Sequence, residues 1–321
     1  MVLIQTSDYD ISTMDTIKWL VFFDEKFIRL NDTTLIKKLT YLDDKFIIEL
    51  SNDFVIDTSI LKGYWYRRGE YEYQWQNKKA NITSFDQYYE EYISQEYRSL
   101  GDFFTFFLKN KINCVGDSKT CQFVNKNNIL ITAKDLGILT PKFIITSSKT
   151  ELIKFIKDKF VITKPIHSSF LFENQGYSFP TYTELISEKH IKLAPETFKP
   201  TLFQEYIEKE IEIRTFYLKG KFYSMAIFSQ NNNKTKVDFR VYCYDKPNRN
   251  IPFNLPKTLE KKLTQLMNRL EFESGSIDLI YSKNKEFYFL EVNPIGQFGM
   301  VSVPCNYLLE KELAKHLIQA Q

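Results

Sequence analysis

The sequence has few of the residues that build sulfur- or imidazole-based sites. Its 321 residues include only four cysteines and three histidines. No two cysteines have the CxxC spacing of a zinc or redox motif, and three histidines are too few to favour a histidine-based zinc site. We therefore expect reduced thiols and a chemistry that other side chains carry out.

Long apolar runs and a strong net charge are absent as well. No stretch approaches the roughly 20 apolar residues that span a membrane, and the start of the chain lacks the basic and apolar regions of a secretory signal. Forty-three basic residues are nearly balanced by 40 acidic ones, so the composition does not favour nucleic-acid binding. These absences predict a cytoplasmic protein that binds neither a membrane nor nucleic acid.

Apolar residues, by contrast, are plentiful enough for two or three packed lobes. Hydrophobic residues make up 43% of the chain and aromatic residues 16%, which argues against disorder. Patterns typical of strands and of helices alternate along the sequence. We therefore predict an α/β fold.

The pattern also predicts individual elements. Ser12 and Asp15 have the spacing of a capping box for the first helix, and Gly101 is predicted to separate two aromatic-rich helices within residues 85–111. Across residues 166–199 the periodicity weakens, which predicts a long mobile loop with one short helix. Strands are predicted at residues 2–5, 27–30, 45–50, 54–57, 143–146, 160–164, 201–207, 210–218, 221–229 and 237–244, and further helices at residues 126–136, 149–159, 256–270 and 306–319.

Residues 276–293 have the pattern of a β-hairpin. The two arms are rich in Ile, Leu, Tyr, Phe and Val, and a polar patch between them predicts the turn. If Lys283 pairs with Glu286 across that turn, Asp278 stands opposite Glu291 on the neighbouring strand. The hairpin therefore predicts two carboxylates side by side on one face.

An amide extends this pair of acids into a set of metal ligands. Asn293 lies two residues beyond Glu291 and hence on the same face of its strand. Two carboxylates and an amide are oxygen ligands of the kind that Mg²⁺ accepts, usually with phosphate and water in the remaining positions. The pattern thus predicts a nucleotide–metal site at Asp278, Glu291 and Asn293, with a solvated acidic face of a sheet as the alternative.

The common phosphate-binding motifs are missing from the chain. It contains no GxxxxGK[ST] loop, and no GxGxxG sequence follows a strand, which excludes a P-loop and a dinucleotide-binding fingerprint. Upstream of the hairpin it has instead an ordered set of basic and acidic residues. In chain order these are Lys126, Lys164, Glu205 to Ile207, Glu212, Arg214 and Arg240.

This order resembles that of the ATP-grasp ligases. In that family two lysines hold the ATP phosphates, a linker after a strand receives the adenine, and an acid seven residues on takes the ribose, a spacing that Glu205 and Glu212 have. The resemblance implies Lys126 and Lys164 for the phosphates, Gln204, Glu205, Tyr206 and Ile207 for the adenine, and Glu212 for the ribose.

The LEVNP motif is the most specific part of the resemblance. In ATP-grasp ligases this motif ends a strand whose acid and asparagine bind Mg²⁺, and an aspartate on the preceding strand completes the set. The corresponding residues are Glu291, Asn293 and Asp278. The resemblance thus implies ATP and Mg²⁺, which suits phosphoryl transfer because that reaction needs a metal and cations around the phosphates.

Within the superfamily the chain is most similar to the graspetide synthetases of the grasp-with-spasm branch, which are maturases of ω-ester-containing peptides. The similarity implies that an Asp or Glu side chain of a ribosomally made precursor peptide is activated as an acyl phosphate and joined to a Thr or Ser hydroxyl or a Lys amine. A homodimer or higher homo-oligomer is implied as well. The segments that carry the similarity are QTSDYDIST, WYRRGEY, ITKP, FQEYIEKEIEIRTF, VDFRVY, SGSIDLIY and FLEVNPIGQFG.

Two arginines and an aspartate are the catalytic candidates. Arg214 in EIR and Arg240 in DFR match family positions near the γ-phosphate and the acceptor carboxylate. Their charge would stabilise the developing acyl phosphate and oxyanion, although an ion pair with Glu212 is the structural alternative for Arg214. Asp238 either orients Arg240 or acts as a base on the attacking hydroxyl, and the sequence leaves both roles open.

The resemblance also implies a division of the chain into an N-terminal pre-ATP-grasp α/β domain at residues 1–112, a central subdomain at 113–205 and a C-terminal antiparallel-sheet subdomain with the metal site at 206–321. Two other functions fit the same residues. One is an ATP-grasp ligase that adds a free amino acid such as glutamate to a peptide or protein, and the other is a catalytically inactive peptide-binding module. A mass gain of one residue, rather than a loss of water, would indicate the first. Tight peptide binding without nucleotide turnover would indicate the second.

Overall fold

A computed structural model describes residues 1–74, 84–122, 124–167, 171–174, 177–180, 183–230 and 248–319 of the chain, without the side chains of residues 84–87, 122, 171–174 and 177–180. The chain folds into two compact units. Unit 1 comprises Met1–Phe123, Phe272–Ser274 and Pro294–Gln321, and unit 2 comprises Val124–Glu271 and Gly275–Asn293. The predicted division into three lobes stays a prediction.

The first part of the chain supplies two sheets and three helices of unit 1. Its elements are β1 (Val2–Thr6), α1 (Ile11–Phe22), β2 (Phe27–Asn31), β3 (Leu35–Leu42), β4 (Lys45–Leu50), β5 (Val55–Asp57), a 3₁₀ turn (Thr58–Ile60), β6 (Gly63–Tyr66), β7 (Glu72–Tyr73), α2 (Ser84–Lys109), β8 (Asn113–Val115) and α3 (Ser118–Gln122). One sheet is parallel in the order β2-β1-β6-β8. The other has the order β5-β4-β3-β7.

The first helix begins earlier than predicted. Asp10 is its N-cap, and the Asp10 side chain accepts a hydrogen bond of 2.8 Å from the Thr13 N–H. Ser12 and Asp15 therefore lie inside α1 and do not form the predicted capping box. A serine that precedes a helix pattern is a common cap, but Asp10 is an equally good one and directly follows the β1 turn.

The predicted break at Gly101 is wrong, because α2 runs through it without interruption. Phe104, Phe107 and Leu108 of this helix are buried in the unit 1 core beside Phe46. A glycine inside a helix costs only about 1 kcal/mol relative to alanine, which burial of these side chains more than offsets. No helix in the described ranges is long and apolar enough to cross a membrane.

The remaining elements belong mostly to unit 2. They are α4 (Lys126–Asp135), β9 (Phe143–Ser148), α5 (Lys149–Ile156), β10 (Val161–Lys164), β11 (Leu171–Asn174), β12 (Tyr177–Pro180), β13 (Glu184–Leu185), α6 (Glu188–Leu193), β14 (Thr197–Glu205), β15 (Lys209–Leu218), β16 (Lys221–Phe228), β17 (Arg249–Phe253), α7 (Lys257–Arg269), β18 (Ser274–Ser282), β19 (Phe287–Asn293), α8 (Gly299–Cys305) and α9 (Leu309–Ile318). The last two helices are in unit 1.

Unit 2 contains a small four-stranded sheet and a larger five-stranded one. The small sheet has the order β13-β10-β14-β9, and the larger one has the order β17-β16-β15-β18-β19. In the larger sheet the pairings β17–β16, β16–β15 and β18–β19 are antiparallel. The mixture of helices and sheets confirms the predicted α/β class.

The predicted long loop at residues 166–199 is wrong. This segment contains the antiparallel hairpin β11–β12 and strand β13 in addition to the expected short helix, α6. Its sequence, LFENQGYSFP across the hairpin, shows no regular alternation, so the period-2 signal of a strand is missing. The strand predicted at residues 237–244 lies outside the described residues.

Candidate functional site

The five-stranded sheet of unit 2 places the predicted acids next to each other. Asp278 on β18 stands directly opposite Glu291 on β19, and Ser276 stands opposite Asn293. The predicted register of the two carboxylates is therefore confirmed. β15 is the neighbour of β18 on its other side, and it carries Glu212 and Arg214 two residues apart.

The turn of this hairpin differs by one residue from the prediction. Beyond Asp278 the register shifts, so that Leu279 pairs with Phe289 and Leu290 is the extra residue of a β-bulge. The tip then closes through the Ser282 N–H, which donates to the Glu286 carbonyl at 2.9 Å. The bulge compensates for the shifted turn, because it restores the Asp278–Glu291 pair.

These strands line an open cleft within unit 2. Ten of the residues singled out from the sequence line it, while Asn293 is exposed at the end of β19 and is not among the lining residues. Asp238 and Arg240 lie outside the described residues. The ten are Lys126, Lys164, Gln204, Glu205, Tyr206, Ile207, Glu212, Arg214, Asp278 and Glu291.

Two ion pairs join the cations of the cleft to its carboxylates. Arg214 Nη1 donates to both oxygens of Asp278, at 2.9 and 3.0 Å, and Lys126 Nζ lies 2.9 Å from Glu291 Oε2. All four side chains are 12–23% exposed, so water screens the pairs less than it would on an open surface. The sequence predicted each of the four residues for the site but neither of the two pairs.

Local sequence explains why Lys126 reaches the cleft. Asn125 caps α4 by accepting hydrogen bonds from the N–H groups of Asn127 and Asn128. Lys126 is therefore the first residue of the helix, and its long side chain extends from the N-terminal end of α4. The buried face of α4 includes Ile129, Leu130 and Ala133. The helix packs against β19, and this packing brings Lys126 to Glu291.

Residues 204–207, which we call the linker, run from the end of β14 into the loop before β15. The Glu205 N–H donates to the Lys142 carbonyl at 2.8 Å, and the Tyr206 N–H donates to the Phe160 carbonyl at 2.9 Å. The next N–H along the chain, that of Ile207, has no acceptor among the described residues. It is therefore available as a donor to a ligand in the cleft.

Gln204 gives the linker a second available donor. Its side chain is 1% exposed, and no described residue accepts a hydrogen bond from its Nε2. A buried amide without a partner costs about 1–3 kcal/mol, which is a reason to expect that a ligand satisfies it. Burial, followed by the charges of Glu208 and Glu212, raises the pKa of the Tyr206 phenol.

Lys209 is a cleft residue that the sequence did not predict. Its side chain is buried, and its Nζ lies 2.9 Å from Glu212 Oε1, which also accepts a hydrogen bond of 2.6 Å from Ser229 Oγ. Residues three apart on a regular strand point to opposite faces, so the spacing of Lys209 and Glu212 gave no signal. The pair forms because Lys209 is the first residue of β15 and its side chain is long.

The ligand set suits a hard cation held jointly with phosphate. The described residues contain no cluster of three or more histidine, cysteine, aspartate and glutamate side chains that could hold a metal alone. Asp278 and Glu291 supply two carboxylates on neighbouring strands. Mg²⁺ is commonly bound by one or two carboxylates plus substrate phosphates, so the residues present fit it.

Comparison with known proteins identifies the fold. No protein-family model matches the chain, and no curated protein sequence does. Solved structures do match it over nearly its whole length, and they show that the chain has the ATP-grasp fold.

Three of these structures indicate the kind of enzyme that shares the fold. The macrocyclase MdnC from Microcystis aeruginosa, bound with precursor peptide MdnA, is 23% identical, with a TM-score of 0.78 and 99% of each chain covered. A RiPP-associated ATP-grasp ligase from Chryseobacterium gregarium, in complex with ADP and a leader and core peptide, is 21% identical, with a TM-score of 0.79 and 98% and 94% covered. The ATP-grasp ligase PsnB, complexed with minimal precursor, Mg and ADP, is 13% identical, with a TM-score of 0.72 and 99% and 96% covered.

Proposed function

We propose that this protein is an ATP-dependent ligase that crosslinks side chains of a ribosomally made precursor peptide. In the proposed reaction an Asp or Glu carboxylate of the peptide takes the γ-phosphoryl group of ATP, which releases ADP and forms an acyl phosphate. A Thr or Ser hydroxyl, or a Lys amine, then attacks the acyl carbon and releases phosphate. Each crosslink leaves an ester or an amide and removes the elements of one water from the peptide.

One observation carries this proposal. A single cleft of unit 2 brings together two cation–carboxylate pairs, Arg214 with Asp278 and Lys126 with Glu291. The linker, with the Ile207 N–H as an available donor, lines the same cleft. The cations and the hard oxygen ligands are groups that phosphoryl transfer requires, and the linker offers a backbone donor to the nucleotide.

Each part has a proposed role in binding the nucleotide. The Ile207 N–H and the Gln204 amide donate to the adenine, and Glu212, held by Lys209, accepts from the ribose. Lys126, Lys164 and Arg214 neutralise phosphate oxygens. Asp278, Glu291 and Asn293 are the proposed Mg²⁺ ligands, and the bound ion supplies further charge neutralisation and orientation of the phosphates.

Arg214 has a second proposed role, in the chemistry. Its guanidinium, which Asp278 holds in the absence of metal, stabilises the charge that develops on the transferring phosphoryl group. Arg240 remains proposed for the acceptor carboxylate. Asp238 remains proposed either to orient Arg240 or to act as a base on the attacking hydroxyl. A cytoplasmic location and a homodimer or higher homo-oligomer are also proposed. The first rests on the composition of the chain and the second on the sequence resemblance.

The ligands bound in the similar solved structures support the proposed substrate class. MdnC is bound with a precursor peptide, and the Chryseobacterium gregarium ligase holds ADP together with a leader and core peptide. PsnB is complexed with Mg and ADP. These ligands belong to those proteins, and for this chain they favour a peptide substrate over a free amino acid.

Mass spectrometry tests the proposal directly. The protein is incubated with ATP, Mg²⁺ and a Thr- and Asp/Glu-rich peptide encoded beside its gene, and we expect the peptide to lose one water mass per crosslink while ADP forms. Asp278→Asn should stop both changes, and Glu286→Gln, an exposed acid on the same hairpin, should stop neither. A mass gain of one residue would replace the crosslinking reaction with amino-acid ligation. Peptide binding without ADP formation would indicate an inactive binding module.

A further inference from the structure

A pair of arginines in unit 1 is not explained by the proposed catalysis. Arg67 and Arg68 directly follow β6 of the parallel sheet, and Asp10 follows β1, the neighbouring strand. In open α/β sheets, ligands bind at the carboxyl ends of the strands. The two arginines thus lie at the carboxyl end of a strand, where that rule places a ligand.

Both arginines use the same carboxylate. Arg67 Nε lies 3.2 and 3.3 Å from the two oxygens of Asp10, and Arg68 Nη2 lies 3.1 Å from Asp10 Oδ2. No other acid among the described residues forms an ion pair with either guanidinium. Two positive charges therefore face one negative charge, and the cluster keeps one positive charge in excess.

The two guanidinium groups differ in burial. Arg67 is 3% exposed, and its Nη1 donates to the Ile295 carbonyl at 2.6 Å. Arg68 is 35% exposed, and Asp10 engages only one of its nitrogens. Among the described residues, Arg67 Nη2 and Arg68 Nε have no acceptor. Both of these nitrogens are buried, so the cluster consists of a fixed inner arginine and a partly exposed outer one.

An excess of one charge favours a monoanion as the ligand. A carboxylate is planar, carries a single charge and matches the fork of a guanidinium in a bidentate pair. A phosphate monoester carries nearly two charges at neutral pH, so it would also meet the negative charge of Asp10. Asp10 therefore serves two purposes, because it orients both arginines and selects against a dianion.

We propose that Arg68 of unit 1, which pairs with Asp10 beside Arg67, binds a side-chain carboxylate of an acidic peptide. The identification of that peptide as the precursor rests on the proposed function, since a chain of Asp and Glu residues offers carboxylates besides the one being activated. The site anchors such a residue through a charge-assisted hydrogen bond.

Nuclear magnetic resonance of the full-length protein, without nucleotide, tests this site. The probes are N-acetyl-glutamate N-methylamide and its neutral counterpart N-acetyl-glutamine N-methylamide. We expect the Arg68 Nε–Hε signal to move saturably with the glutamate probe and to stay in place with the glutamine probe. An equal response to both probes, or no response to either, would overturn the proposal.

Variants sharpen the same titration, with the Gly69 amide signal as the reporter. Arg68→Gln removes the charge and should lower the affinity for the glutamate probe at least about tenfold. Arg68→Lys keeps the charge but not the planar guanidinium, and its affinity should lie between those of the unchanged protein and Arg68→Gln. Arg98→Gln, an exposed arginine on α2, should bind the probe as the unchanged protein does. Unaltered binding by Arg68→Gln would refute the assignment.

A third probe, capped O-phosphoserine, separates carboxylate from phosphate. We expect it to bind no more tightly than the glutamate probe, and clearly tighter binding would overturn the carboxylate assignment. Because these titrations contain no nucleotide, they are independent of catalysis. A protein that binds the glutamate probe but never forms ADP would refute the proposed function and leave this site standing.

Discussion

Arg214 donates from one nitrogen to both carboxylate oxygens of Asp278. Lys126 and Glu291 form the second such pair, 2.9 Å apart. In each pair a cation proposed to contact phosphate neutralises a carboxylate proposed to bind metal. A metal ion at these carboxylates has to replace both cations, and phosphate oxygens are the groups that can then take the cations over.

The first prediction concerns this exchange of partners. Mg²⁺ alone should bind weakly, because it leaves Arg214 and Lys126 without their carboxylates, whereas ADP supplies them with phosphate oxygens. We expect ADP to raise the affinity for Mg²⁺ at least about tenfold, and by linkage Mg²⁺ to raise the affinity for ADP by the same factor. Isothermal titration calorimetry measures both. Equal affinities with and without the other ligand would contradict the exchange.

The second prediction separates the two roles of Lys126. Lys126→Met should lower ADP formation about a hundredfold or more, because a cation near the phosphates is lost. The same change should raise the affinity for Mg²⁺ alone, because the metal then no longer competes with Lys126 for Glu291. Lys134→Met, an exposed lysine on the same helix α4, is the matched control and should change neither quantity. A fall in both quantities would show that Lys126 does not compete with the metal.

A third prediction concerns the buried pair of Lys209 and Glu212. Removing one partner of a buried ion pair typically costs about 3–5 kcal/mol, because the other charge is left uncompensated. Lys209→Met should therefore lower the free energy of unfolding by about 3 kcal/mol in urea titrations. The double variant Lys209→Met/Glu212→Gln should lose less than the sum of the single changes. Strict additivity would mean that the pair does not interact in solution.

The sequence was informative where the relevant contact is local. The facing of Asp278 and Glu291 follows from strand alternation within one hairpin, and the bulge at Leu290 kept that register despite the shifted turn. Strand alternation is sufficient for a contact of this kind. The linker and Glu212, which do line one cleft, were predicted from the resemblance to the ATP-grasp ligases.

Contacts between distant parts of the chain were beyond reach. Lys126 contacts Glu291 because α4 packs against β19. The periodicity of the two segments does not predict that they pack together. The Lys209–Glu212 pair was missed for another reason, since its odd spacing on a strand predicts opposite faces. The hairpin β11–β12 was missed because its sequence lacks alternation.

The incorrect break at Gly101 leads to a fourth prediction. A methyl group at Gly101 would meet nothing within 4 Å, so Gly101→Ala should stabilise α2 by about 0.5–1 kcal/mol. The contrasting change is Gly116→Ala, where φ is +78° and the new Cβ would lie 2.3 Å from the Tyr66 carbonyl oxygen. That variant should be destabilised. Thermal unfolding of both variants measures the effect, and a loss of stability in Gly101→Ala would argue for a break in the helix.

The last prediction concerns the pH dependence of the Asp10 cluster. Burial raises the pKa of Asp10, but the charge of Arg67, the Thr13 N–H and the charge of Arg68 together lower it further, so the net shift is downward. In the unfolded chain the pKa is about 3.9. The folded protein therefore prefers the ionised form, and the resulting stability is present above about pH 4 and is lost as the pH falls through the folded-state pKa.

Asp10→Asn makes this dependence measurable. At pH 7 it should lower the free energy of unfolding by about 3 kcal/mol, because Arg67 loses its buried partner. As the pH falls below about 4, Asp10 is protonated first in the unfolded chain and then, at its lowered pKa, in the folded protein, so the stabilities of the unchanged protein and the variant should approach each other. Urea titrations at pH 7, 5 and 3 provide the comparison. A difference that stays constant down to pH 3 would mean that Asp10 stabilises the fold through its shape and hydrogen bonds, and that its charge is not what holds the two arginines in place.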